Sequence, residues 1–104
     1  MKFNYGWEKL HMAIHSLCSQ GDQSERLVNA VVFGLIRITP AKDLPEEIRQ
    51  EFQDFMSEVT SVNAQRDEGR VKATIDTFDE IELSEKVERI ISFYDTVCRY
   101  REPL

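Results

Sequence analysis

The chain has 104 residues, of which 41% are hydrophobic and 31% charged, with four Gly and three Pro. That is the make-up of one folded domain over residues 1–104, too small for two independent cores and too apolar for wholesale disorder. A formal net charge of −6 works against binding to nucleic acid or an anionic membrane, which depends on Lys and Arg displacing counterions, and favours a protein partner with a basic surface.

The first residues, Met1-Lys2-Phe3-Asn4-Tyr5-Gly6, lead directly into an amphipathic stretch, without the charged region, long apolar run and cleavage site of an export signal. The longest apolar run, residues 30–36, is far shorter than the roughly 20 residues that span a bilayer. The expected location is therefore the cytoplasm. Trp7, Leu10, Ile14 and Leu17 recur at spacings of three and four, which places them on one face of a first helix that Gly21 ends.

Asp22, with Glu25 three residues later, has the pattern of a capping box and opens a second helix. Leu27, Val28, Ala30, Val31, Val32, Phe33, Leu35 and Ile36 make this helix apolar on nearly every face, so it is expected to be the buried central one. The β-branched run into Ile38 also suits a buried strand, but the cap and the length of the segment favour helix. Gly34 in its interior points to close approach by another helix, since glycine there costs roughly 1 kcal/mol.

Thr39-Pro40 stops this helix, and Asp43-Leu44-Pro45-Glu46-Glu47 starts the next, with proline and carboxylates in its first turn. Ile48, Phe52, Phe55, Met56, Val59 and Val62 continue its period. Residues 63–69 are polar and read as an exposed, mobile loop. Residues 70–78 suit a short helix or a strand; helix is favoured because no second strand is evident to pair with it. Ser84 is the expected cap of a last helix through Val87, Ile90, Ile91, Tyr94, Val97 and Cys98. The predicted fold is all-α, a small antiparallel helical bundle of four main helices plus one short helix.

Chemistry has few places to reside. Glu8, His11, His15 and Cys18 fall along one strip of the first helix, where two imidazoles four residues apart can reach one divalent metal. The strip is half of a di-iron pattern at best, because the chain has only two His; the competing reading is a pair of partly exposed histidines beside the buried face. Cys18 and Cys98 lack the paired spacing of a zinc or redox site and read as buried, reduced thiols. Asp76, Asp79, Glu80, Glu82, Glu85 and Glu88 form an acidic run that either docks a basic partner or is an ordinary solvated face whose members cap the last helix.

The aromatics near the two ends, Phe3, Tyr5 and Trp7 with Phe93, Tyr94 and Tyr100, read mostly as core; an exposed patch of them would mark an interface or a homodimer. Phosphate loops, nucleophile elbows and cysteine clusters are absent from the sequence. Both His precede every Arg, the reverse of the order in small helical RNases of the HEPN type. The expectation is a non-enzymatic protein-protein interaction module without a cofactor, accessory, antitoxin-like or immunity-like by size and charge only. The alternative is a metal- or ligand-binding bundle built on the first-helix strip.

Overall fold

The computed structural model describes residues 2–64 and 69–101. These form helices α1 (Asn4–Leu17), α2 (Gln23–Phe33), α3 (Pro40–Asp43), α4 (Glu46–Glu58), α5 (Gly69–Ile75) and α6 (Glu80–Cys98), with a 3-10 turn at Leu35–Arg37. No strand occurs among the described residues, so the β alternatives for residues 31–38 and 70–78 fall away. The four long helices match the expected ones, and α5 is the expected short helix; α3 is an addition.

Local chemistry explains most boundaries. The carboxylate of Asp22 accepts from the Glu25 N–H at 2.8 Å and caps α2, satisfying one of the free donors that every helix start leaves. Gly21, at φ 106°, turns the chain into that cap. The first helix has already ended at Leu17, ahead of Gly21. Pro40 begins α3 rather than an extended loop, and the buried Asp43 carboxylate reaches back to accept from Thr39 N–H at 2.7 Å. Asp43 thus satisfies a free donor at the start of α3, the Leu44 N–H donates to the Pro40 carbonyl at its end, and α4 begins after Pro45 with Glu46 and Glu47 facing the positive end of its dipole.

The last helix starts earlier than expected. Asp79, not Ser84, is its cap: Asp79 accepts from Glu82 N–H at 2.8 Å while Glu82 accepts from Asp79 N–H at 3.1 Å. The first turn breaks the apolar period because Ile81 is 80% exposed, so periodicity alone points further along the chain. Val62, expected to continue the third helix, lies beyond its end; its N–H donates to the buried Thr74 hydroxyl at 2.9 Å, which ties the chain after α4 to α5. Of the expected loop at 63–69, residues 65–68 lie outside the described residues.

One continuous core joins Leu10 and Ala13 of α1, Leu27, Ala30 and Val31 of α2, Ile48, Phe52 and Phe55 of α4, and Ile90, Phe93 and Val97 of α6. Phe93 meets Phe52 and Phe55 edge to face, at centroid separations of 5.5 and 5.8 Å, an arrangement that adds to simple burial. Two glycines set how closely α1 is packed. A Cβ on Gly6 would lie 2.2 Å from the Asp43 carbonyl oxygen, and one on Gly34 would lie 2.8 Å from the Lys9 carbonyl oxygen. Gly34 therefore marks the close helix approach expected of it.

The expectation of a wholly buried second helix is corrected. Helix α2 stops at Phe33, and the tighter turn that follows rotates Leu35 inward and Ile36 outward. Its neighbours are α1, α5 and α6, and Val32, Phe33 and Ile36 remain on the surface, the last two each 56% exposed. The cysteine expectation is also corrected: both thiols are free, but Cys18 is exposed because it lies just past the end of α1, and Cys98 is half-buried. Among the described residues no helix is long and apolar enough to cross a membrane.

Candidate functional site

Three surfaces carry the residues of interest. The first is the acidic run along the end of α5 and the start of α6. Asp76 pairs with Lys72 at 2.6 Å within α5 and the turn that follows it. Asp79 and Glu82 form the capping box. Glu85 pairs with Lys86 at 2.6 Å and with Arg89 at 3.3 Å. Glu80 and Glu88 are exposed and make no ion pair with another described residue.

Glu58 of α4, which the sequence pattern did not single out, completes the charged cluster across the helix boundary. It receives Lys86 at 3.0 Å and Arg89 at 2.9 Å. The Lys86 side chain is only 8% exposed, its stem lying in the protein and its ammonium held by carboxylates at the edge, with the Phe78 ring 5.3 Å away. Burial works against charge on Glu58, but hydrogen bonds from Lys86 and Arg89 outweigh it and hold the carboxyl below its ordinary range. Burial likewise disfavours charge on Lys86, and the bonds to Glu85 and Glu58 overcome it and raise the ammonium.

The second surface is the strip on α1. Glu8 and Cys18 are exposed and lie apart from the other two members, whereas His11 and His15 meet, Nε2 to Nε2, at 3.1 Å. Among the described residues no three of His, Cys, Asp and Glu are grouped so as to hold a metal ion together. His11 is further held from two sides. Its Nδ1 lies 3.1 Å from the Tyr94 hydroxyl, and its ring stacks on Trp7 with centroids 4.7 Å apart and planes inclined by 17°. The Arg101 guanidinium sits 3.7 Å from the centre of the Trp7 ring. Burial, and then the Cys98 thiol, push the Tyr94 hydroxyl above its ordinary range, so it stays protonated.

The terminal aromatics divide between these roles. Phe93 is core, as expected, but Tyr5 and Tyr100 are exposed, and Phe3, Trp7 and Tyr94 are half-buried. Phe3 packs edge to face on Tyr100 at 5.4 Å, and the Tyr100 hydroxyl donates to Glu47. Tyr94 is 83 residues from His11, so no local spacing could announce their contact.

The third surface is the apolar end of α2. Ile36 separates two grooves. One of about 360 Å³ is lined by Leu35, Ile38, Pro40, Phe52 and Met56; the other, of about 530 Å³, by Val32, Thr60, Gly69, Arg70 and Val71. Phe33, exposed at the last turn of α2, adds a further large apolar side chain to this end of the helix, where a folded domain ordinarily keeps such side chains few and scattered. The sequence signal for this surface is Gly34, which interrupts the apolar run that otherwise reads as core. Comparison with protein-family models, curated proteins and solved structures returns no match to this chain.

Proposed function

We propose that this chain is a non-enzymatic protein-binding module of the cytoplasm whose docking surface is the apolar end of α2, and whose partner carries apolar anchors ringed by basic residues. The observation that carries the reading is the exposure of Phe33 at the last turn of α2 and of Ile36 between two grooves, because large exposed apolar side chains are common anchors of protein interfaces. The formal charge of −6 supports a basic rim, since it attracts positive surfaces at a distance and adds rate and selectivity to apolar docking. Glu80 and Glu88 are the members of the acidic run without an ion pair to another described residue, and Glu80 lies beside Asp22 and Ser24 at the start of α2, so the acidic run adds to long-range attraction and not to the docking surface itself. Two free thiols suit a reducing compartment.

The test compares the wild-type chain with a Phe33→Ser/Ile36→Ser double variant as baits at low and moderate salt, followed by affinity measurement with the purified partner. The expected result is a basic partner held by the wild type, weakened by salt, and weakened about tenfold or more by the double variant. Equal affinity for both baits overturns the reading. A concentration-dependent dimer of the wild type, lost in the variant, also overturns it by making a second copy the occupant.

A further inference from the structure

Two imidazoles on α1 converge on one point. His11 and His15 are one helical turn apart, and their rings meet in a T-shaped arrangement with planes inclined by 62° and Nε2 atoms 3.1 Å from each other. Two nitrogen ligands at about 2.0–2.1 Å from one ion stand roughly 2.9 Å apart at a right angle and roughly 3.4 Å apart at the tetrahedral angle. The observed separation falls inside that interval. It also suits a hydrogen bond between neutral rings, and metal titration separates the two.

The surroundings are those of a ligand pair. The Tyr94 hydroxyl lies 3.1 Å from Nδ1 of His11; in the tautomer whose Nδ1–H donates to it, the lone pair is left on Nε2, the atom that faces His15. Trp7 stacks on the same ring and fixes its plane. An outer hydrogen bond that sets the tautomer and orientation of a ligating histidine is the common companion of metal binding. His15 is exposed, so an ion has a path from solvent.

We propose that His11 and His15 chelate a divalent late first-row transition ion of the copper and zinc class, with Tyr94 as the positioning residue of His11 and water at the remaining coordination positions. Glu8 and Cys18 take no part. A donor set of two imidazoles favours Cu²⁺ over Zn²⁺ and discriminates against the hard ions Mg²⁺ and Ca²⁺, which need oxygen ligands. The site is independent of partner docking at the end of α2.

Trp7 is the sole tryptophan, and its stacking on His11 makes it a reporter. The experiment titrates the untagged full chain with CuCl₂, ZnCl₂ and MgCl₂, following Trp7 fluorescence for copper and thermal melting for zinc. Expected are saturable quenching by one equivalent of Cu²⁺, a rise of several degrees in Tm with Zn²⁺, and neither effect with Mg²⁺. His15→Gln, a change at an exposed position, abolishes both responses while the circular dichroism of the apo chain is unchanged. Tyr94→Phe weakens binding by about tenfold, and Cys18→Ser leaves it intact. No saturable response in the wild type overturns the chelate and leaves a hydrogen bond between the rings. Undiminished binding by His15→Gln, or its loss in Cys18→Ser, overturns it as well.

Discussion

The start of α6 and the end of α2 are both surface, yet they are finished in opposite ways. At the start of α6, Asp79, Glu82 and Glu85 each find a partner within the chain, and Glu58 crosses from α4 to bind Lys86 and Arg89. At the end of α2, Phe33 and Ile36 project with more than half of their surface exposed. The comparison teaches that a run of charge is not automatically a docking face, because helix starts and half-buried cations consume carboxylates. An apolar run is not automatically core either, because a small domain lacks enough elements to surround every helix.

The largest expected effect tests how firmly the end of α2 is set against α1. Gly34→Ala places a methyl group 2.8 Å from the Lys9 carbonyl oxygen and 3.0 Å from that of Ala30, where backbone must move to admit it. The expected loss is about 2–3 kcal/mol in urea unfolding. A loss no larger than the few tenths that a surface site gives shows that the two helices are not held that closely.

A smaller effect separates structural carboxylates from free ones within the acidic run. Asp79→Ala removes the acceptor of the α6 cap and is expected to cost about 1 kcal/mol. Glu80→Ala and Glu88→Ala are expected to stay within about 0.5 kcal/mol. Equal costs at Asp79 and Glu80, measured by the same unfolding curves, contradict the division drawn above.

The smallest effect concerns acid. Because the folded-state pKa of Glu58 is below the ordinary 4.5, its contribution is fully present above that value and is lost as pH falls through the lowered one. The carboxylate is partly in water, so the contribution is about 1 kcal/mol or less. Glu58→Gln should therefore lower stability at neutral pH and flatten its decline below about pH 4.5. A variant whose acid limb parallels that of the wild type rules out this origin.

How much was legible in the sequence differs from element to element. The cap at Asp22 could be read directly, because both partners of its hydrogen bond lie within three residues. The cap at Asp79 has the same local pattern but was obscured by Ile81, whose exposure breaks the apolar period. On α1 the spacing of His11 and His15 was visible; the Tyr94 hydroxyl and Trp7 ring that hold His11 depend on where α6 packs and on rotamer choice.

The sequence by itself determined the four long helices and the short α5, with the approximate core stripe of α1, α4 and α6, because capping and a period of about 3.6 residues act over a few neighbours. It also determined the acidity and the shortage of conventional catalytic motifs. Only the tertiary structure decided which apolar and charged residues remain available. Phe33 and Ile36 are exposed because α1, α5 and α6 flank α2 without covering its end, and Glu85 is engaged because Lys86 and Arg89 are oriented by packing against α4. Such outcomes depend on contacts between residues far apart in the chain, which no local pattern encodes.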